Sequence, residues 1–556
     1  MFSKHSRNDA VCALKGTADS WRAPTNPLFT GGLQGRMMSI EEEHAPTPPP
    51  ANPSARADSQ TLRLAGGAGT SFLGKVLGRL IQVAAQIVFA RYLGMHDFGR
   101  LALGLVTVRV LGTIAPLGLH RGIVVFGSKY WRIDDSRFRA VVFEAIALTL
   151  VSSLALATLL AAFADTISTR VLHGSLSGEQ LRSFAKIVPV FAMLRILVDS
   201  TRISQRMQFG AIAEDVTQPL LSLVAFLVAV GAGTNALDAA VYAVFFSFTG
   251  ACVLTVPFLL VLFPQMRTGS RPRWNIGELV RFAAPSSLAV TFGIVGTMLD
   301  RLIVGYFRPP HEMGLYQAAS QVSIAFTIVV GSFTSIFAPM AARFVATGDH
   351  AALQQLMWRS TRWGLYLSLP VYVFFLVMPG ALLGTTFGDA YAQGAWVLRF
   401  LATSQLLLVV SGNLVLLLIT SGKQTWWLAF TTCGLTLNAV VGTILVQRLG
   451  LVGAAIANTL TIATVSTLAA IAVNRLLHVW PVDRRTLRPV LGGVASLIAG
   501  HACVLAMPPA ATLVAMAITA LTVGITFVGV CLALGLDEDE RVVLRALRAR
   551  LASRRA

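Results

Sequence analysis

The chain has 556 residues, of which 55% are hydrophobic and only 13% charged, with a mean hydropathy of +0.68. A soluble domain carries about a quarter of its residues as Asp, Glu, Lys and Arg, so a water-soluble enzyme of this length is excluded. The 45 Lys and Arg against 26 Asp and Glu leave a net charge of +19. Those cations sit in short clusters between apolar blocks, which points to basic loops at a cytoplasmic membrane face and not to nucleic acid as a partner.

Residues 1–63 differ from the rest. Glu41-Glu42-Glu43, Pro46, Pro48-Pro49-Pro50 and Pro53 have few apolar neighbours, so this segment is expected to be a disordered cytoplasmic tail. Met37 or Met38 is an alternative start. From Leu64 onward apolar blocks recur, and about fourteen of them reach the ~20 residues that span a ~30 Å hydrocarbon core. They fall near 69–90, 101–123, 139–163, 183–202, 215–233, 239–263, 282–304, 316–339, 362–384, 397–419, 424–446, 452–473, 488–506 and 511–534. Arg195, Asp199 and Arg202 interrupt the fourth. Loops after even-numbered blocks carry most of the basic residues, among them Lys129, Arg132, Arg206, Arg267, Lys423 and Arg475. The positive-inside bias therefore puts both termini in the cytoplasm. At 536–556, Val543, Leu544, Leu547 and Leu551 share a face amid arginines, the pattern of a basic amphipathic helix lying on anionic lipid. The five cysteines are far apart and form no CxxC, so neither a disulfide framework nor a metal site is expected.

Two segments repeat. Ala90-Arg91-Tyr92-Leu93-Gly94 leads through Phe98-Gly99 to Leu101-Ala102-Leu103-Gly104, and Asp300-Arg301-Leu302-Ile303-Val304-Gly305 leads to Gly314-Leu315-Tyr316-Gln317-Ala318-Ala319. Such repeats place a substrate path between two bundles. The same stretches, with Pro339, "GDAY" at 388–391 and "LNAVVGTILVQRLGLVGAAIANTL" at 437–460, resemble the polysaccharide transporters of the multidrug/oligosaccharidyl-lipid/polysaccharide exporter superfamily. The similarity runs over about residues 65–535 and is greatest to the Wzx-type flippases.

The resemblance implies an all-α integral membrane fold of about fourteen spans. A first six-helix lobe at 64–265 and a second at 266–475 would form a V around a central cavity, with helices 13 and 14 at 476–535. It also implies a function: translocation of undecaprenyl-diphosphate-linked oligosaccharide across the bacterial inner membrane for O-antigen, capsule or exopolysaccharide synthesis. The partners implied are the lipid-linked oligosaccharide, membrane lipids, a polysaccharide polymerase and a chain-length regulator. No cofactor is expected, because the full phosphate-binding pattern GxxxxGK[ST] is missing.

A charged side chain at a helix centre costs about 2.5–3.5 kcal/mol on insertion scales, so such groups normally face an interior or a cavity. Lys75 and Arg79, Arg109, the set Arg195–Asp199–Arg202, Arg281, and the pair Asp300–Arg301 all interrupt apolar blocks. Guanidinium groups keep their charge and fork two donors onto phosphate oxygens. Arg79, Arg109, Arg195 and Arg281 are accordingly expected to line a cationic cavity for the diphosphate. Asp199, Glu144, Asp300 and Arg301 are expected as coupling or structural partners, with Arg195–Asp199 and Arg109–Glu144 as candidate pairs. Lys75 and Arg281 have a second reading as cations that snorkel to headgroups, and Arg91 and Arg301 as anchors of helix ends. The same fold would serve a peptidoglycan-precursor flippase or a drug antiporter, although an excess of Arg disfavours cationic cargo. A membrane polymerase or ligase would need convergent acid/base residues, which the chain does not display.

Overall fold

The computed structural model describes residues 53–535 apart from 205, 269–270, 282–292, 294, 325 and 508–511. The expected tail over 1–52, the basic helix at 536–556 and most of the block at 282–304 lie outside the described residues. The first helix, α1 (Pro53–Ile114), begins within the segment expected to be tail. It is followed by α2 (Leu119–Tyr130), α3 (Asp135–Ala162), α4 (Ala164–Arg170), α5 (Gly178–Ala185) and α6 (Ile187–Thr201). A π-helical turn, Ala211–Thr217, then runs into α7 (Gln218–Gly231) and α8 (Ala236–Leu262). The second half comprises α9 (Leu299–Phe307), α10 (Pro310–Ser323), α11 (Phe326–Thr347), α12 (His350–Val377), α13 (Pro379–Phe387), α14 (Ala395–Thr420) and α15 (Gln424–Leu477). It ends with α16 (Leu487–Leu505) and α17 (Thr512–Ala533). Among the described residues every regular element is helical.

Among the described residues eight helices are long and apolar enough to cross a membrane, or nine if α12 and α13, bent by 86°, form one span. Their outward faces are hydrocarbon-like. In Leu513–Ala533 only 22% of the most apolar window is buried, and Leu513, Leu521 and Ile525 are exposed. An aqueous surface does not carry a patch of that kind, so this is a multi-pass membrane protein.

The apolar blocks and the helices do not coincide everywhere. Block 101–123 is broken where Pro116 is followed by Leu117 and Gly118, both at positive φ (48° and 80°). Block 316–339 is divided between α10 and α11. Elsewhere they agree: α15 comprises two helical arms that meet at a non-helical residue between the expected blocks 424–446 and 452–473. Gly450, at φ 62° and ψ −138°, turns it back on itself, and Gly94 does the same to α1 at φ 69°. Glycine alone takes such angles without a steric penalty.

The two copies of the sequence repeat meet. A Cβ on Gly99 would run into the Pro310 carbonyl, and one on Gly314 into the Met95 carbonyl, so α1 and α10 cross backbone to backbone. Nearby, Arg91 donates to the carbonyl oxygens of Thr385 and Thr386 at the end of α13, the latter at 2.8 Å. The Tyr391 hydroxyl donates to the Ala90 carbonyl at 3.3 Å. Phe89, Phe98, Phe184, Phe226 and Tyr316 fill the core behind this crossing and are almost wholly buried. The Arg91 side chain thus anchors a helix end, as one reading of the sequence expected.

Candidate functional site: a cationic pocket in the first half

The helices of the first half surround a cavity of about 40 Å³ lined by Gln82, Gln86, Arg109, Phe191, Gln218 and Phe248, among others. That volume suits a few water molecules; a diphosphate needs the surrounding helices to part. Arg109 rises from the second arm of α1, and its guanidinium has no hydrogen bond or ion pair among the described residues. It lies within electrostatic reach of Arg79, Arg195, Arg301 and Glu214. Arg79, one α1 arm away, donates to the Gln82 side chain at 2.7 Å and feels the charge of Asp215. Arg195 on α6 donates to Glu214 at 2.6 Å.

A local backbone feature brings Glu214 and Asp215 here. Pro219 has no N–H for an α-helical bond to the carbonyl four residues earlier, and its ring crowds that carbonyl. The carbonyl belongs to Asp215, and the preceding turn widens to a π-helix in which Gln218 N–H bonds the Ala213 carbonyl. The Asp215 backbone then packs directly on Gly78, where a Cβ would collide with it. Glycine at 78 therefore lets the π-turn approach α1, beside Arg79. Rare π-turns recur at functional sites.

Several expected pairs are different. Glu144 does not partner Arg109. It is fully buried against Arg137 of its own helix (3.1 Å) and accepts the Asn275 backbone N–H at 2.5 Å. Arg137 also reaches the carbonyls of Arg273 and Asn275 and the Glu278 carboxylate. These bonds stitch the segment between the halves onto α3, which is why Glu144 points away from the cavity. Arg195 takes Glu214 rather than Asp199 as its hydrogen-bond partner, because the π-turn presents a carboxylate on the cavity side; Asp199 pairs with Arg202 at 2.5 Å. Asp300 accepts the Tyr316 hydroxyl at 2.5 Å. Arg301 donates to Gln317 (3.3 Å), to the Thr297 carbonyl (3.2 Å) and to Ser320. Arg281 is exposed, beside Asn275 and Glu278, away from the residues that line the cavity.

The structure thus brings Arg79, Arg109 and Arg195 together, adds Arg301 to their electrostatic field and leaves Arg281 at the segment between the halves. Sequence reasoning missed Glu214 and Asp215. Their signal was the acidic pair four and five residues before Pro219.

A family model described as "Polysaccharide biosynthesis protein" matches residues 88–395, more than half of the chain. A curated relative, the probable low-salt glycan biosynthesis flippase Agl15 of Haloferax volcanii, is 22% identical over 422 residues, 73% of this chain and 81% of that protein. Among solved structures, the lipid II flippase MurJ in an inward closed conformation superposes with a TM-score of 0.62 at 12% identity, covering 82% of this chain and 97% of that one. An inward-facing multidrug resistance MATE family transporter of the MOP superfamily gives 0.58 at 14% identity, over 72% and 94%. At these identities the solved structures speak to fold, and function has to be argued from the site. The chain belongs to the polysaccharide biosynthesis protein family and is built on the fold of the MOP-superfamily transporters.

Proposed function

We propose that the protein is a flippase that carries an oligosaccharide linked to undecaprenyl diphosphate across the bacterial inner membrane, for assembly of a surface polysaccharide. The observation that carries this reading is the Arg109 guanidinium at an interior cavity, in the electrostatic field of Arg79, Arg195 and Glu214 and without a hydrogen-bonded anion among the described residues. A partly buried cation without a hydrogen-bonded anion is expensive to maintain. An anionic ligand that arrives from outside the chain gives it a use. The family match and the flippase relative support transport in glycan synthesis; the arginines add the preference for an anionic, phosphate-bearing headgroup.

In this reading about fourteen spans form two six-helix lobes, 64–265 and 266–475, with helices 13 and 14 at 476–535 and both termini in the cytoplasm. The lobes alternate access while the lipid tail stays in the bilayer. Arg79, Arg109 and Arg195 receive the diphosphate; Arg281, being exposed, fits a headgroup-snorkelling role. Asp300, held by Tyr316 and next to Arg301, keeps the second half's contribution to the field in place. A polymerase and a chain-length regulator would consume the product on the far side.

The test is complementation of a deletion strain. Cells lacking the protein should accumulate lipid-linked repeat units on the cytoplasmic side. R79A and R109A should fail to relieve that accumulation while remaining in the membrane at wild-type amount. Full relief by both variants would sink the proposal.

A further inference from the structure

Arg195 and Glu214 differ from the Arg137–Glu144 pair of the first half in where they stand. The Arg137–Glu144 pair is sealed, with side-chain exposures of 8% and 0%. Arg195 and Glu214 remain 37% and 28% exposed, so both can be reached by a solute. Glu214 is also the carboxylate whose charge acts on Arg109, and it sits on a π-turn, a segment whose backbone bonding already departs from the regular helix. The neighbouring charges are Arg109 and Arg79 on α1, Asp199 on α6 and Asp215 on the π-turn.

We infer that Glu214 is a built-in competitor of the diphosphate: in the empty protein its carboxylate occupies Arg195, and the arriving diphosphate takes Arg195 from it. This deepens the cavity reading above and rests on it. Arg109, free of a partner among the described residues, makes the first contact; Arg195 is recruited second. A diphosphate carries about two negative charges and more acceptor oxygens than one carboxylate, so it outcompetes Glu214 for a forked donor. The displaced carboxylate is not stranded, because its exposure lets water take over. The competition sets affinity: a transported ligand must bind well enough to enter and weakly enough to leave. Glu214 supplies the second half of that requirement by reclaiming Arg195 as the diphosphate departs.

The test uses the full-length protein in detergent, titrated with inorganic pyrophosphate by calorimetry, for wild type, E214Q, E214D and R109A. E214Q keeps the shape and removes the competing charge. It should bind pyrophosphate about two- to fivefold more tightly, the change expected from losing a partly exposed ion pair in the unliganded state. E214D, with a shorter reach to Arg195, should move in the same direction by less, and it serves if E214Q does not fold. A residue that merely shaped the cavity would weaken binding when altered. Equal or weaker binding by a folded E214Q overturns the inference. If R109A loses binding in the same series, the cavity reading survives that failure. Wild-type protein that binds no pyrophosphate, or R109A that binds it as wild type does, defeats both.

Discussion

In the first half, Arg79, Arg109 and Arg195 share one interior with fewer hydrogen-bonded anions than cations. Between α12, α14 and α15 of the second half, much of the polar seam is amide and hydroxyl, beside the Arg399 guanidinium that donates to the Leu376 carbonyl at 3.0 Å. There the Asn413 side chain donates to Ser360 at 2.6 Å, Ser466 to Ser411 at 2.8 Å, and Thr459 to the Phe400 carbonyl at 2.9 Å. Neutral groups of this kind satisfy one another across helices and act as modest glue. Charges that are not satisfied internally wait for something from outside. The sealed Arg137–Glu144 pair shows that the first half can also bury charge for structural ends, when a backbone N–H, two backbone carbonyls and a second carboxylate join the pair.

The contrast can be broken most forcefully at Glu144. E144A leaves Arg137 buried without its main anion and should destabilise the protein by about 3–5 kcal/mol, read as a drop in thermal midpoint in detergent. Because Glu144 is not a partner of Arg109, combining E144A with R109A should give additive stability changes within about 0.5 kcal/mol; coupling beyond that would mean the two do interact. Next in size, R109Q gives the first half the neutral chemistry of the second. Pyrophosphate affinity should fall by at least about tenfold, in line with the ~1.5–3 kcal/mol of a hydrogen bond to a charged group, while the thermal midpoint holds or rises. The smallest effect is expected in the neutral seam itself. N413A should cost only about 0.6 kcal/mol and leave pyrophosphate binding unchanged; a larger loss of binding there would give the seam a share in ligand recognition.

Much of the architecture was legible in the chain because bilayer thickness imposes a length on every span. The repeat at 90–104 and 300–319 also announced its own meeting place, since Gly99 and Gly314 are small where two helices must touch. Helix breaks were less visible. Nothing in the hydropathy of 101–123 or 316–339 marks an interruption, because Leu117 and the residues around 324 are as apolar as their neighbours. The membership of Arg79, Arg109 and Arg195 in one cluster followed from the cost of burying charge. Their partners did not follow, since pairing between elements depends on how helices rotate about their axes. Glu144 and Arg109 were placed together by adjacency of blocks, whereas the α3 face that bears Glu144 is turned to Asn275. Glu214 faces Arg195 only because Pro219 widens one turn, a displacement that no 3.6-residue periodicity registers.

The crossing of α1 and α10 at Gly99 and Gly314 has one more consequence. Where main chain lies against main chain, no rotamer can swing aside to loosen the contact. Any movement that separates α1 from α10 must therefore shift whole helices as rigid rods, and a side chain larger than hydrogen at position 99 or 314 would wedge them apart in advance.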